Sequence, residues 1–250
     1  MRNEVTVVWL GRRPYRPVWA LQRAVAEARR QHLIGDALIL VEHDTVISLG
    51  RRATPDHILV DAETLRNHGV EIIPVDRGGD ITLHAPGQLV AYPILHLGPW
   101  GNDVVAYLRR LEEVGIRVAA QWRIHATRDP GFTGIWVGKE KLGSIGIRFS
   151  RGVTTHGVAL NVDLDLSLFS FIIPCGLSHR SVTSFAALLK TSPPTLEQIR
   201  ASFVWHFAEV FGVGICNAHP LVVEQYLPLA PPEPRPSSLQ LGLAHGRLAC

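Results

Sequence analysis

Between residues 134 and 162 the chain sets three β-like runs nearly end to end, at 134–137, 142–149 and 153–162. Connections this short cannot carry a crossover, so the runs read as an antiparallel meander. A meander alone cannot bury a core; it needs further strands beside it and helices across its faces. The rest of the chain offers both. Strands are expected at 5–10, 37–42, 45–49, 70–75 and 89–95, the second and third joined by a tight turn at His43-Asp44. Helical spacing marks 18–33, with Gln22, Arg23, Glu27, Arg29 and Arg30 on its outer face, and also 61–68, 103–119 and 195–211. Asp61 stands as an N-cap, Asp103 gives the third helix an acidic start, and Pro193-Pro194 precede Thr195 as a start signal. The expected fold class is α/β (α+β), a mixed, largely antiparallel sheet with flanking helices.

The chain has 250 residues, 46% hydrophobic and 19% charged, which suits one soluble globular unit. That unit is expected over residues 1–227. Pro228, Pro231, Pro232, Pro234 and Pro236 then crowd together, so 228–250 reads as a stiff, extended Pro-rich tail. No apolar run is long enough to span a bilayer, and the run at 5–10 leads into Gly11-Arg12-Arg13 without a small-residue cleavage site. The expectation is a cytoplasmic protein with no membrane partner. Cys175, Cys216 and Cys250 are odd in number and form no Cys-x-x-Cys pair, and the twelve histidines show no zinc-helix spacing, so neither disulfides nor a metal is expected. Net charge is +3, from 22 arginines and only three lysines, with no basic stripe or aromatic platform, which argues against nucleic acid and suits an acidic protein partner.

Two segments carry candidate chemistry. From Arg77 to Tyr92 the chain reads Arg-Gly-Gly-Asp-Ile-Thr-Leu-His-Ala-Pro-Gly-Gln-Leu-Val-Ala-Tyr. Its glycines let backbone approach a ligand, or else form a plain hairpin turn. Further on, Pro174 and Gly176 bracket Cys175. An isolated cysteine is often just a small buried hydrophobe. As a nucleophile it needs help, because a thiol of pKa ~8.5 is only about 3% thiolate at pH 7. Lys141, one of the three lysines, is the candidate neighbour, since lysine can give up its proton and arginine effectively cannot. Lowering the thiol to about 7 would raise the thiolate fraction more than tenfold. Between the two, Gly157 and Ala159 alternate with Val158 and Leu160, leaving one strand face open to a long apolar group or closed by tight packing. Gly143 shares the Lys141 face and Ser144 and Gly146 the other, so either face has room.

Taken together, Arg77-Gly78-Gly79, Thr82, His84, Pro86-Gly87-Gln88, Tyr92-Pro93, Lys141, Ser144-Ile145-Gly146, His156-Gly157, Ala159-Leu160-Asn161 and Pro174-Cys175-Gly176 resemble the lipoyl(octanoyl) transferases. Glu42-His43 and Gly50-Arg51 extend the likeness, which covers roughly residues 7 to 215. The resemblance implies a fold similar to biotin and lipoate protein ligase (class II synthetase-like) catalytic domains. It implies a dyad of Cys175, the nucleophile that carries an acyl thioester, and Lys141, which lowers the thiol pKa and shuttles its proton. It implies substrate contacts from Arg77, Gly78, Gly79, Asp80, Ile81, Thr82, Leu83 and His84, from Ser144, Ile145 and Gly146, and from Gly157, Val158 and Ala159. The implied donor is octanoyl-acyl carrier protein. The implied acceptors are lipoyl domains of 2-oxoacid dehydrogenase complexes and the glycine-cleavage H-type protein. No cofactor or metal is implied.

Two positions depart from the family pattern. Leu83 stands where an aromatic is usual, which bears on the acyl pocket, and Arg151-Gly152 stand where a tryptophan is common. The candidate oxyanion donors are backbone N–H groups near Gly176 or Gly78-Gly79. The alternative within the same fold is an ATP-dependent lipoate or biotin-type ligase, which needs no cysteine. An amidotransferase between two proteins and a non-enzymatic binding module are the other readings.

Overall fold

The computed structural model describes residues 4–173 and 180–236. The chain runs β1 (Glu4–Arg13), α1 (Tyr15–Arg30), β2 (Asp36–His43), β3 (Val46–Leu49), α2 (Ala62–Asn67), β4 (Glu71–Pro74), β5 (Ile81–His84) and β6 (Gln88–Ile94). It continues through α3 (Val104–Gln121), β7 (Thr127–Asp129), β8 (Phe132–Val137), β9 (Glu140–Ser150), β10 (Val153–Asn161), α4 (Phe185–Leu188), α5 (Leu196–Phe211), β11 (Gly214–Asn217) and α6 (Leu221–Glu224).

The meander is present: β8, β9 and β10 pair antiparallel in succession. They form one side of an eight-stranded sheet in the order β11-β1-β2-β6-β10-β9-β8-β7. Among the described strands of that sheet, the parallel pairs are β1 with β2 and β1 with β11. A second sheet of three strands, β4-β3-β5, lies apart. The fold is thus mixed α/β, with a large, mainly antiparallel sheet.

Two expectations change here. Strands β2 and β3, joined through Asp44 and Thr45, do not share a sheet: β2 pairs with β1 and β6, and β3 with β4 and β5. The polar turn carries the chain from one sheet to the other, which apolar content alone does not specify. The glycine-rich run also contains a strand, β5, antiparallel to β3, where the sequence showed only a loop between two strands. β7 and β11, short edge strands, gave no separate signal.

The caps follow the sequence. Asp61 accepts from the Thr64 N–H, Asp103 from the Ala106 N–H, and Thr195 forms a reciprocal capping box with Gln198. Helix α1 ends at Arg30, short of Leu33, which is exposed. Central strands are buried on both faces, and alternation sorts them. Leu38 and Leu40 of β2 join a core with α3 and α5, while Ala37, Ile39 and Val41 join a core with α1. A third core, built around Ile47, Leu49, Ile81 and Leu83, lies under the small sheet.

The part of the tail that is described, up to residue 236, lies back along α1. The Arg23 Nε–H donates to the Pro231 carbonyl at 3.3 Å, and Arg16 pairs with Glu233 at 3.4 Å.

Candidate functional site

A cavity opens between the α1-side face of the large sheet and the small sheet. It is narrow, with about 40 Å3 of enterable free volume. Of the residues expected to contact substrate, Arg77, Gly79, Asp80, Thr82, His84, Ser144, Ile145, Gly146, Gly157, Val158 and Ala159 line it. Gly78 lies at its outer rim. Ile81 and Leu83 point the other way, because side chains alternate along β5. Both belong to the third core, Leu83 sitting opposite Ile47. The departure at Leu83 therefore sits behind the cavity wall and is not among its lining residues.

The glycine-rich run is fixed to its neighbours by backbone. Gly50, Arg51 and Arg52 donate their N–H groups to the carbonyls of Asp80, Arg77 and Gly79. Arg77 turns inward, and its guanidinium donates to the Ser48 carbonyl at 2.6 Å and to its hydroxyl. The Gly78 N–H donates to the Ile147 carbonyl at 2.7 Å, so it is committed and does not serve as an oxyanion donor. Several small residues serve packing as much as ligand. A Cβ on Gly143 would strike Ile135 and Leu160 in the core, and one on Gly157 would come 2.1 Å from the Ala91 carbonyl oxygen. Gly157 thus lets β6 approach β10 while its open side still faces the cavity.

Beside the Arg77 guanidinium, the inner wall carries histidine and tyrosine side chains that stay uncharged. The His43 Nδ1–H donates to the Arg13 carbonyl at 2.9 Å, so Nε2 accepts from the Tyr92 hydroxyl at 2.8 Å. Burial pushes His43 down to about 4. It pushes His84 down to about 3, helped by His43 nearby. Burial raises the Tyr15 hydroxyl to about 12 and moves Tyr92 upward as well. Tyr15 stacks on His84, ring centroids 5.6 Å apart.

From His84 a directed chain of hydrogen bonds leads outward. The Nδ1–H of His84 donates to Gln88 Oε1 at 2.7 Å, Gln88 Nε2 to Asn161 Oδ1 at 2.9 Å, and Asn161 Nδ2 to the Thr183 carbonyl at 2.9 Å. Each amide has one orientation that satisfies both neighbours. On the opposite wall, the His156 Nε2–H donates to Asp76 Oδ1 at 2.8 Å. Burial opposes ionisation of Asp76, but His156 and the Arg148 guanidinium outweigh it and hold the carboxyl well below the usual range. Burial in turn lowers His156, against the pull of Asp76.

At its mouth the cavity meets a broader basin, with about 500 Å3 of enterable free volume, whose lining includes Lys141, Arg52, Asp80, Phe132 and Thr133. Lys141 is only 3% exposed, at the start of β9. Its Nζ lies 5.2 Å from the centre of the Trp136 ring, and its stem runs past Gly134, where a Cβ would stand 2.8 Å from Lys141 Cε.

Cys175, with Pro174 and Gly176, lies outside the described residues. Both flanks of that segment are anchored at the basin. On one side Ile172 bridges Ile58, and the Ile173 N–H donates to the His57 carbonyl at 2.8 Å. On the other, Arg180 pairs with Asp129 at 2.5 Å and stacks on Trp136. The next residues run beside Lys141: its N–H donates to the Ser181 carbonyl at 2.9 Å, and its carbonyl accepts from the Thr183 N–H at 3.0 Å.

Sequence reasoning gave Tyr15 and His57 no part in the site. Tyr15 opens a helix far upstream, and His57 sits in an unremarked turn. Gln88 and Asn161 lay within quoted motifs, but nothing local showed that they meet.

The family described as the lipoyl protein ligase A/B catalytic domain matches residues 14–208. An octanoyltransferase of Chloroflexus aurantiacus is 47% identical over 212 residues, spanning 84% of this chain and 95% of that protein. One of Solibacter usitatus is 45% identical over 202 residues, 81% and 90% of the two chains. Among solved structures, a lipoate-protein ligase A bound with ATP superposes with a TM-score of 0.70 at 14% identity, covering 97% of this chain and all of that one. A bipartite lipoate protein ligase from Thermoplasma acidophilum gives 0.70 at 15% identity over 90% of each chain. At such identities these two speak for the fold.

Proposed function

We propose that this chain, which belongs to the lipoyl protein ligase A/B catalytic domain family, moves an octanoyl group from acyl carrier protein to a lysine of a lipoyl domain through a thioester on Cys175. It is an acyltransferase of the octanoyltransferase type, acting in protein lipoylation. The donor, the covalent intermediate and the acceptor are the proposal. The observation that carries it is the anchoring of both flanks of residues 174–179 at the basin that holds Lys141.

In the first half-reaction the Cys175 thiolate attacks the octanoyl thioester carbonyl. A new carbon–sulfur bond forms, the carrier's phosphopantetheine thiol leaves, and Lys141 takes the Cys175 proton and passes it to the leaving sulfur. The acyl chain lies in the inner cavity, against Val90, Ile145, Val158 and Ala159 and the uncharged rings of Tyr15, His84 and Tyr92. In the second half-reaction a lysine amine of the acceptor attacks the enzyme thioester, an amide forms, and Cys175 is released. The acceptors considered are lipoyl domains of 2-oxoacid dehydrogenase complexes and the H-type protein of glycine cleavage.

The test is the intact mass of the protein after incubation with octanoyl-acyl carrier protein in the absence of ATP. A single octanoyl adduct on Cys175 that passes to a lipoyl domain is the expected result. Modification of the lipoyl domain only when ATP and free octanoate are supplied would make the protein a ligase and overturn the scheme.

A further inference from the structure

Asp80 spans the junction of the two spaces, lining both the inner cavity and the basin with Lys141. Its Oδ2 accepts from His57 Nδ1 at 2.5 Å. Its Oδ1 is buried and has no hydrogen-bond partner among the described residues. A carboxylate oxygen withdrawn from water and left without a donor is costly, and that cost is relieved when a ligand brings a donor. The carboxylate is also well fixed. The Asp80 carbonyl accepts from the Gly50 N–H at 3.0 Å, and His57 holds the Ile173 N–H, two residues before Cys175 in the chain. The pair therefore touches both the basin that holds Lys141 and the described residue Ile173.

The donor, acyl carrier protein's thioester, is neutral at its reacting end and offers Asp80 nothing. The acceptor does: a lysine arrives as an ammonium, with three N–H donors and a positive charge. We propose that Asp80, backed by His57, is the receptor for the acceptor's ammonium in the second half-reaction, and that the pair removes its first proton. This assignment rests on the transferase reading above.

The proton balance requires such a group. An ammonium must lose two protons to become an amide nitrogen. The first goes to the Asp80–His57 pair and on to solvent, freeing the lone pair. The amine then attacks the thioester carbonyl, the carbon–nitrogen bond forms and the carbon–sulfur bond breaks. The second proton passes through Lys141 to the departing Cys175 sulfur. With Lys141 occupied by the proton destined for sulfur, a second base spares it two successive relays, and Asp80 lines the same basin.

The experiment separates the half-reactions. Wild-type, Asp80→Asn and His57→Gln proteins are loaded with octanoate from octanoyl-acyl carrier protein and followed by intact mass. Each thioester is then discharged with a lipoyl domain or with hydroxylamine, which is a neutral nucleophile at pH 7. In Asp80→Asn, the ratio of lipoyl-domain discharge to loading should fall at least tenfold and recover in part as pH rises, whatever happens to loading itself. Hydroxylamine should discharge both thioesters at similar rates. His57→Gln should give the same pattern with a smaller loss. Equal slowing of loading and of both discharges, or discharge to the lipoyl domain at the wild-type rate, would overturn the assignment. Failure of the wild-type protein to load would instead refute the transferase reading itself.

Discussion

The inner cavity and the outer basin share Gly79, Asp80, Ile145 and Gly146, yet their titratable groups are handled in opposite ways. At the inner end, burial holds His43 and His84 uncharged, and the hydroxyls of Tyr15 and Tyr92 are kept protonated. Their polar atoms are largely spent on one another, as in the run from His84 to Asn161, although His156 Nδ1 has no partner among the described residues. At the outer end stand a buried lysine and a carboxylate–histidine pair with one oxygen that has no partner among the described residues. Polar walls need not mean a polar ligand. With the rings of Tyr15, His84 and Tyr92 uncharged and the Arg77 guanidinium turned onto Ser48, the space between them suits an apolar chain, and proton transfer is left to the mouth.

The sharpest way to break this comparison is to disable the mouth alone. Lys141→Met should cut octanoyl transfer by roughly a thousandfold or more, about 4 kcal/mol in the barrier, without moving the unfolding midpoint much. Lys141→Arg retains charge without the ability to shuttle a proton, so equal loss in both variants identifies an acid–base role. Substantial activity in Lys141→Met, measured by single-turnover loading, would place the chemistry elsewhere.

Next comes the inner space. Ala159→Phe should fill it and slow loading of octanoate by about a hundredfold, roughly 2.7 kcal/mol, while butanoate still loads. A uniform loss across chain lengths would show that Ala159 does not face the acyl chain.

The inner histidines also predict a pH dependence of stability. In the unfolded chain both protonate below about 6.5, whereas in the folded protein they stay neutral down to about 4 and 3. The unfolded state therefore binds the extra protons. Stability is complete above pH 6.5 and falls as pH drops toward 4, by up to about 1.4 kcal/mol per pH unit for each histidine. Urea unfolding at pH 7, 6 and 5 tests this, and His84→Gln should flatten the slope. A flat profile in the wild type would mean that these rings are not held neutral.

The smallest effect concerns Leu83. Leu83→Phe should cost about 1 kcal/mol or somewhat more by overpacking the core behind the wall, and leave the preference between octanoate and butanoate unchanged. A changed preference with no loss of stability would put that side chain in the cavity after all.

Much of this was legible in the residues. Short connections fixed the β8–β9–β10 meander, and Asp61, Asp103 and Thr195 marked helix starts through side chains that bond their own backbone. These are local effects, set within a few residues. The glycines of the Arg77 run also announced close backbone approach, which Gly50 and Ile147 supply. What the chain could not show locally was partnership over distance. The parting of β2 and β3 into two sheets, the meeting of Gln88 with Asn161, and the placing of Ile81 and Leu83 behind the wall all depend on which strand pairs with which.

The sequence by itself determined the class of fold, the starts of the three capped helices and the family, because propensity, capping and motif order are written residue by residue. Only the tertiary structure decided which glycines make room for a neighbour and which for a ligand, since that depends on what a Cβ would strike. It also decided that His57, silent in the sequence, stands against Asp80 beside the basin of Lys141. A hydrogen bond between residues 23 positions apart depends on how the sheets pack, and no local pattern records it.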